Sequence, residues 1–243
     1  MEVVEVRRGA EILPLDVSLR RKLIMSFARS ALRRWGGIFA PLLRPITCHV
    51  VAAVLFCCSF NAHAGNQKEE AMADSVRLAL SKAITDSRPP TLLFADIKDR
   101  IKYLYWRGEM SERLKVKLPD AQVRHEFLHT VWYEAKRAGL DPQMVLGLIQ
   151  VESGFHKYAF SSVGARGYMQ VMPFWTRVIG DGDPKKLFEM QTNLRYGCSV
   201  LRMYIDQEAG DLYLALGRYN GSRGLPEYPN AVRAAWKKWD YKE

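Results

Sequence analysis

The sequence predicts an all-α fold, and three observations support this prediction. From residue 65 onward, apolar residues recur at helical spacing in one segment after another. Asp, Pro and Gly residues stand where such helices would begin and end, and no strand pattern continues beyond four residues. The chain of 243 residues has an apolar content of 48%, which is ordinary for a globular protein of one or two domains.

The first 64 residues have the features of an export signal. A basic flank precedes an apolar run of 11 residues at 50–60, and a small-x-small sequence predicts cleavage after Ala64. The run is shorter than the ~20 residues that a spanning helix needs, although an uncleaved membrane anchor remains the alternative. We interpret residues 1–24 as an upstream extension that is not translated, with Met25 as the true start. The predicted location is the periplasm.

Residues 65–118 are predicted to form a helical extension that precedes the main domain at 119–243. Pro89-Pro90 separates two segments of helical periodicity within this extension. Because no motif there indicates chemistry, we interpret the extension as a helical layer that packs on the main domain. A docking surface for a partner protein is the functional alternative.

One stretch of the main domain combines a buried acid with a glycine-rich loop. Glu152 continues the apolar stripe of Leu148 and Ile149 at helical spacing, so its carboxyl is predicted to face the protein interior. A buried acid is unfavourable unless it is paired or used, and an apolar site at a helix C-terminus favours its protonated form. Glu152 is therefore the candidate general acid. Small residues at 161–167 then form a loop that a ligand can approach closely.

Three motifs around this acid resemble the soluble lytic transglycosylases, the family 1 SLT or lysozyme-like domain. The motifs are Glu152-Ser153, the pattern Gly164-Ala165-x-Gly167-x-Met169-Gln170-Val171-Met172-Pro173, and Tyr219-Asn220. They occur in the family's order, and the resemblance covers about the last half of the chain. It implies a lysozyme-like helical domain with its substrate site between helices.

The resemblance also implies a reaction, which is the non-hydrolytic cleavage of the β-1,4 bond between N-acetylmuramic acid and N-acetylglucosamine in peptidoglycan. Glu152 would act first as acid and then as base, while the acetamido group of N-acetylmuramic acid assists departure. The C6 hydroxyl of the same sugar would then attack C1 and give a 1,6-anhydromuramoyl end. This chemistry needs no cofactor, no metal and no second acid.

Six further residues receive roles from the resemblance. Ser153 would orient Glu152 by a hydrogen bond. Tyr219 would place a hydroxyl near Glu152, and Asn220 would hold either a substrate amide or the loop that follows it. Read alone, Tyr219 is equally a half-buried aromatic at a helix end, and Asn220 is part of a turn.

The other three residues, Gly167, Met169 and Gln170, would line the substrate groove. Gln170 would donate to the glycan, and Met169 would pack on a sugar ring. The alternative for Met169 is a filler of the core. The sequence departs from the family pattern at His156-Lys157, which leaves the outline of the groove open.

Two other functions remain open. A goose-type lysozyme on the same fold would hydrolyse the bond and would need a second acid, for which Asp181, Asp183 and Glu227 are the candidates. A non-catalytic glycan-binding or assembly protein would bind the cell wall without turnover.

The charge of the chain indicates which classes of partner it is predicted to bind. The net charge of +10 suits an anionic polymer such as peptidoglycan. Beyond residue 64 there is neither a dense basic run nor an interleaved aromatic motif, so we predict no nucleic-acid binding. The predicted partners are glycan strands, with a secretion or pilus apparatus or wall-synthesis proteins as further possibilities, and the chain is predicted to be monomeric.

Overall fold

The computed structural model describes residues 67–86 and 91–241, so the predicted export signal and the Met25 start lie outside the described residues. The described part contains eight α-helices, one 3₁₀-helix over Pro184–Phe188 and no strand beyond two isolated antiparallel bridges. The all-α prediction is therefore confirmed. The α-helices are α1 (Asp74–Thr85), α2 (Ile97–Leu114), α3 (Ala121–Arg137), α4 (Pro142–Glu152), α5 (Phe174–Ile179), α6 (Met190–Gln207), α7 (Leu212–Asn220) and α8 (Glu227–Lys238).

Aspartate side chains cap the start of three helices of the main domain. Asp120, Asp141 and Asp211 each accept a hydrogen bond from a backbone N–H in the first turn of α3, α4 and α7, at 2.9, 2.7 and 3.0 Å. Pro142 occupies the first turn of α4, where no N–H is needed. These starts agree with the prediction that Asp and Pro residues stand where helices begin. The 3₁₀-helix was not predicted from the sequence.

The N-terminal extension packs on the main domain through its helices and through the residues before α1. The Gln67 side chain accepts a hydrogen bond from the Trp175 indole at 2.9 Å, and Glu70 pairs with Arg218 at 2.6 Å. In α2, Trp106 and Met110 are buried in the core. These contacts support the packing interpretation of the extension. Within the described ranges, no helix combines the length and the apolar character needed to cross a membrane.

A buried ion-pair network connects α3 to α6. Glu134 is completely buried, and its carboxylate pairs with Arg137 at 2.8 Å and with the buried Arg195 at 2.9 Å. Each carboxylate oxygen thus contacts a guanidinium.

The last helix, α8, packs against α4 in the opposite direction. A Cβ atom on Gly147 would lie 2.7 Å from the backbone nitrogen of Trp236, so only glycine permits the observed approach of the two backbones. Just beyond the end of α8, Tyr241 N donates to the Gln143 side chain at the start of α4, at 2.8 Å. The start of α8 is consequently brought to the C-terminal end of α4.

Candidate active site

Glu152 is the last residue of α4, and its side chain lies inside the protein. The residue is only 6% exposed, and Leu148 and Ile149 of the same stripe are completely buried. The structure therefore places Glu152 on the buried face that its spacing predicts.

The nearest polar partner of Glu152 comes from α8. The hydroxyl of the buried Tyr228 donates to Glu152 Oε1 at 2.5 Å. The second oxygen, Oε2, is buried and has no hydrogen-bond partner among the described residues. One oxygen of the carboxyl is thus held by the protein, and the other has its hydrogen-bonding capacity unused.

Tyr228 was absent from the predicted site, because it lies 76 residues from Glu152 in the chain. A sequence signal for it does exist. Tyr228, Val232, Ala235 and Trp239 recur at helical spacing, and all four are buried. The Tyr228 hydroxyl on the buried face of the last helix needs a polar partner. The Glu152 carboxyl on the buried face of α4 needs one as well.

Burial dominates the protonation of Glu152. It raises the pKa of the Glu152 carboxyl to about 8, while the hydrogen bond from Tyr228 opposes this rise. No carboxylate of the described residues contributes to the shift. Near neutral pH the group is consequently protonated in a large share of molecules, which suits a proton donor.

Tyr219 lies close to this carboxyl. Its side chain is completely buried, and burial together with the charge of Glu152 raises its pKa well above the ordinary value. The hydroxyl donates to the backbone carbonyl of Met169 at 2.8 Å. Tyr219 therefore connects the end of α7 to the loop that follows Glu152.

The contacts of Ser153 differ from those that the resemblance implied. Its hydroxyl lies 2.7 Å from the carbonyl oxygen of Tyr168 and 3.2 Å from that of Ile149. A hydroxyl has one hydrogen to donate, and here it is directed to backbone carbonyls. Ser153 thus fastens the glycine-rich loop to the end of α4, instead of orienting Glu152 directly.

Gln170 and Met169 also differ from their implied groove-lining roles. The amide nitrogen of the buried Gln170 donates to the carbonyls of Ala159 at 3.1 Å and of Gly167 at 3.0 Å, so both of its hydrogens are engaged inside the loop. Met169 is completely buried. A Cβ atom on Gly197 would lie 2.7 Å from Met169 Cβ, so the side chain fills the gap that this glycine leaves in α6.

Position 167 has to be glycine, because a neighbouring side chain leaves no room for a Cβ atom there. It adopts a φ of +74°, and a Cβ atom there would collide with the Asn193 amide. Asn193 accepts from Met169 N at 2.8 Å and donates to the carbonyls of Arg166 and Leu187, both at 2.8 Å. Asn193, which the sequence prediction did not include, therefore holds the loop in place.

Asn220 lies in the turn after α7. Its amide nitrogen donates to the Ser222 hydroxyl at 3.1 Å, which corresponds to the loop-holding alternative. Its carbonyl oxygen is buried without a hydrogen-bond partner in the described part of the chain. Asn220 and Glu152 thus each keep one unpaired buried oxygen.

The three candidates for a second acid lie in environments that differ from that of Glu152. The exposed Asp181 pairs with Lys186, and this contact lowers its pKa. Asp183 caps the 3₁₀-helix by accepting from Lys185 N at 2.9 Å. Glu227 is exposed in the first turn of α8. Over the residues that the structure describes, no group of three His, Cys, Asp or Glu side chains converges to hold a metal ion.

The described residues thus form a helical domain in which a buried glutamate at a helix end favours its protonated form. Residues 130–239 match the family model of the transglycosylase SLT domain, so this part of the chain is similar to that family. The matched region lies inside the predicted main domain and includes Glu152, Tyr219 and Tyr228.

Curated relatives match a part of the chain that is similar in length to the SLT domain. The chain is 36% identical over 111 residues to membrane-bound lytic murein transglycosylase C of Actinobacillus pleuropneumoniae, covering 45% of this chain and 28% of the relative. It is 31% identical over 96 residues to a transglycosylase of Enterobacteria phage PRD1, covering 40% and 35% respectively. The relative in Mannheimia succiniciproducens, again a membrane-bound lytic murein transglycosylase C, is 30% identical over 114 residues. The chain spans about a third of the length of these relatives.

Proposed function

We propose that this protein is a peptidoglycan lytic transglycosylase, which cleaves the bond between N-acetylmuramic acid and N-acetylglucosamine and leaves a 1,6-anhydro end. The observation that carries the proposal is the environment of Glu152, a buried carboxyl with a pKa of about 8 and one unpaired oxygen. The SLT domain and the names of the relatives support the same reaction class.

The first step needs a proton on the leaving glycosidic oxygen. Protonated Glu152 donates this proton, and Oε2 is the oxygen without a protein partner. As the carboxyl becomes negative, the Tyr228 hydrogen bond stabilises it, since this bond favours the charged form. The bond between C1 and the leaving oxygen breaks in this step.

The second step returns the proton to the enzyme. The C6 hydroxyl of the muramic acid attacks C1, a new C–O bond forms, and the Glu152 carboxylate takes the hydroxyl proton. Atoms balance without water, and the carboxyl is protonated again for the next cycle. One acid therefore suffices for both steps.

Hydrolysis, the alternative route, would need a second carboxyl group beside Glu152. Glycoside hydrolases use two carboxyl groups about 5–9.5 Å apart, depending on stereochemistry. The rise in the pKa of Glu152 by burial suits the proton donor of either route, so the routes differ in whether a second carboxyl group takes part. Of the three candidates, Asp181 pairs with Lys186 and Asp183 caps the 3₁₀-helix, which leaves the exposed Glu227 as the candidate for a hydrolase.

We further propose that the protein acts in the periplasm after export and binds glycan strands there. The signal features before Ala64 and the relatives named membrane-bound support a location in the cell envelope. The division at residue 119 into an extension and a catalytic domain is part of the same proposal.

The test is a digest of purified murein sacculi by the protein and by its Glu152→Gln variant, analysed by mass spectrometry of the soluble fragments. Anhydromuropeptides from the wild type and none from the variant are expected. Fragments with reducing ends would establish a hydrolase instead. No fragments from the wild type would leave a glycan-binding or assembly protein.

A further inference from the structure

A layered aromatic surface lies on the loop after Glu152. Tyr158, Phe160, Arg166 and Phe188 form this surface, which we call the aromatic shelf. Tyr158 is 72% exposed and Phe160 is 63% exposed. Two large aromatic side chains this open to solvent, so close in sequence, are unfavourable unless something covers them.

The side chains of the shelf contact one another in a row. The rings of Tyr158 and Phe188 have centroids 6.0 Å apart, and the Arg166 guanidinium lies 5.6 Å from the centre of the Phe188 ring. The same guanidinium lies 5.7 Å from the centre of the Phe160 ring. Arg166 thus contacts both the Phe160 ring and the Phe188 ring, and so it links the two sides of the shelf.

Hydrogen bonds hold Arg166 and the backbone of the loop that carries the shelf. Arg166 Nη1 donates to the carbonyl of Pro184 at 2.7 Å, and the backbones of Phe160 and Arg166 form an antiparallel bridge. The carbonyl of Ala159, between the two exposed aromatics, accepts from Gly167 N at 2.9 Å and from the Gln170 amide at 3.1 Å. Rigid aromatic surfaces bind with little loss of conformational entropy.

The shelf belongs to the same loop that is fastened to the acid. Tyr158 and Phe160 follow Glu152 by six and eight residues. The Ser153 bond to Tyr168 and the Tyr219 bond to Met169 tie this loop to α4 and α7. These bonds fix the position of the loop that carries the shelf relative to the acid.

We propose that the aromatic shelf is a subsite for a sugar ring of the glycan strand, an N-acetylhexosamine near the residue that is cleaved. A pyranose presents a face rich in C–H groups, and the negative face of an aromatic ring attracts these. The Tyr158 hydroxyl adds a hydrogen-bonding group at the edge of the shelf. The substrate class in this proposal rests on the proposed function.

The test measures binding separately from turnover. In the Glu152→Gln background, binding to insoluble sacculi is measured by cosedimentation over a range of sacculus concentrations. The double variant Tyr158→Ala, Phe160→Ala is expected to bind at least tenfold more weakly. The swap Tyr158→Phe, Phe160→Tyr keeps both rings and is expected to retain the affinity of the parent.

The matched control is Tyr105→Ala, which removes an equally exposed tyrosine, 68% open, from α2 of the extension. It is expected to leave sacculus binding unchanged. In the background with Glu152 intact, the double alanine variant is expected to raise KM for sacculi more than it lowers kcat, because the shelf binds glycan without touching the reacting atoms.

Three outcomes would overturn the shelf as a subsite. They are an unchanged affinity of the double alanine variant, an equal loss in the Tyr105→Ala control, and a wild-type dimer that the double variant dissociates in sedimentation equilibrium. The last result would make the shelf a contact between copies of the chain. Because binding is measured without catalysis, an inactive wild type would reject the proposed function while the binding result stayed interpretable.

Discussion

Two buried glutamates on neighbouring helices have opposite surroundings. Glu134 on α3 has an arginine at each oxygen, at 2.8 and 2.9 Å. Glu152 on α4 has a single neutral partner, the Tyr228 hydroxyl, and one oxygen without any described partner. Burial is common to both residues, so it does not by itself indicate a chemical role. A buried acid with cationic partners links helices, whereas one in an apolar site with neutral partners can hold and release a proton.

The largest expected difference between the two residues is in turnover. Glu152→Gln keeps the shape of the side chain and removes its proton transfer, so release of muropeptides from sacculi should fall by about 10³-fold or more. Glu134→Gln should retain turnover per folded molecule. Comparable losses of turnover in the two variants, measured at a temperature where both are folded, would show that the two glutamates do not differ in catalytic role.

The converse difference is in stability. Glu134→Gln removes the negative charge that pairs with the buried Arg195 and should reduce the free energy of unfolding by about 3–5 kcal/mol. Urea unfolding near pH 7 provides the measurement. A variant as stable as the wild type would show that Glu134 is not the structural counterpart of Glu152.

The pH dependence of stability sharpens the contrast. The pKa of Glu152 is raised from 4.5 to about 8 in the folded protein. Between these values the folded state keeps a proton that the unfolded state has lost, so this group reduces stability as pH rises through that window. Between pH 4.5 and 8.5, the free energy of unfolding of the wild type should fall by about 2–4 kcal/mol relative to that of Glu152→Gln.

Urea unfolding of both proteins across this range gives the difference directly. The Glu152→Gln variant serves as the reference, because every other titrating group is common to the two proteins. A constant difference in stability, or one that moves in favour of the wild type with rising pH, would contradict the raised pKa.

The smallest expected effect is that of the Tyr228 hydrogen bond. This bond lowers the pKa of Glu152, so Tyr228→Phe should raise it and move the basic limb of the kcat/KM profile to higher pH. Loss of carboxylate stabilisation in the first step should reduce kcat by about tenfold. Tyr105→Phe on the exposed face of α2 is the control. A basic limb that moves to lower pH would contradict the assigned role of the bond.

Helices and the acid were predictable because their signals are local. The capping aspartates at 120, 141 and 211 and the apolar stripe that includes Glu152 are encoded within one or two turns of chain. Tyr228 was not predicted as a partner of Glu152, because their contact depends on how α8 crosses α4 at Gly147. Such a crossing is a property of tertiary packing, and no sequence window contains it.

The glycine-rich loop shows where a motif can mislead. Gly167, Met169 and Gln170 were expected to face the substrate, yet their contacts are internal to the protein and hold the loop in place. A resemblance identifies which residues matter, but it does not say whether each one touches the ligand or shapes the surface that does. The exposed aromatics that follow Glu152 were not among the motif residues at all.

The most direct test of the contrast between the two acids is a carbon-13 NMR titration of the glutamate side-chain carboxyls, with the Glu152 signal assigned by comparison with Glu152→Gln. A midpoint near pH 8 for the Glu152 carboxyl is expected, because burial without a cationic partner holds its proton. A midpoint near its ordinary value of 4.5 would show that Glu152 is a carboxylate at neutral pH, and it would contradict its role as the proton donor.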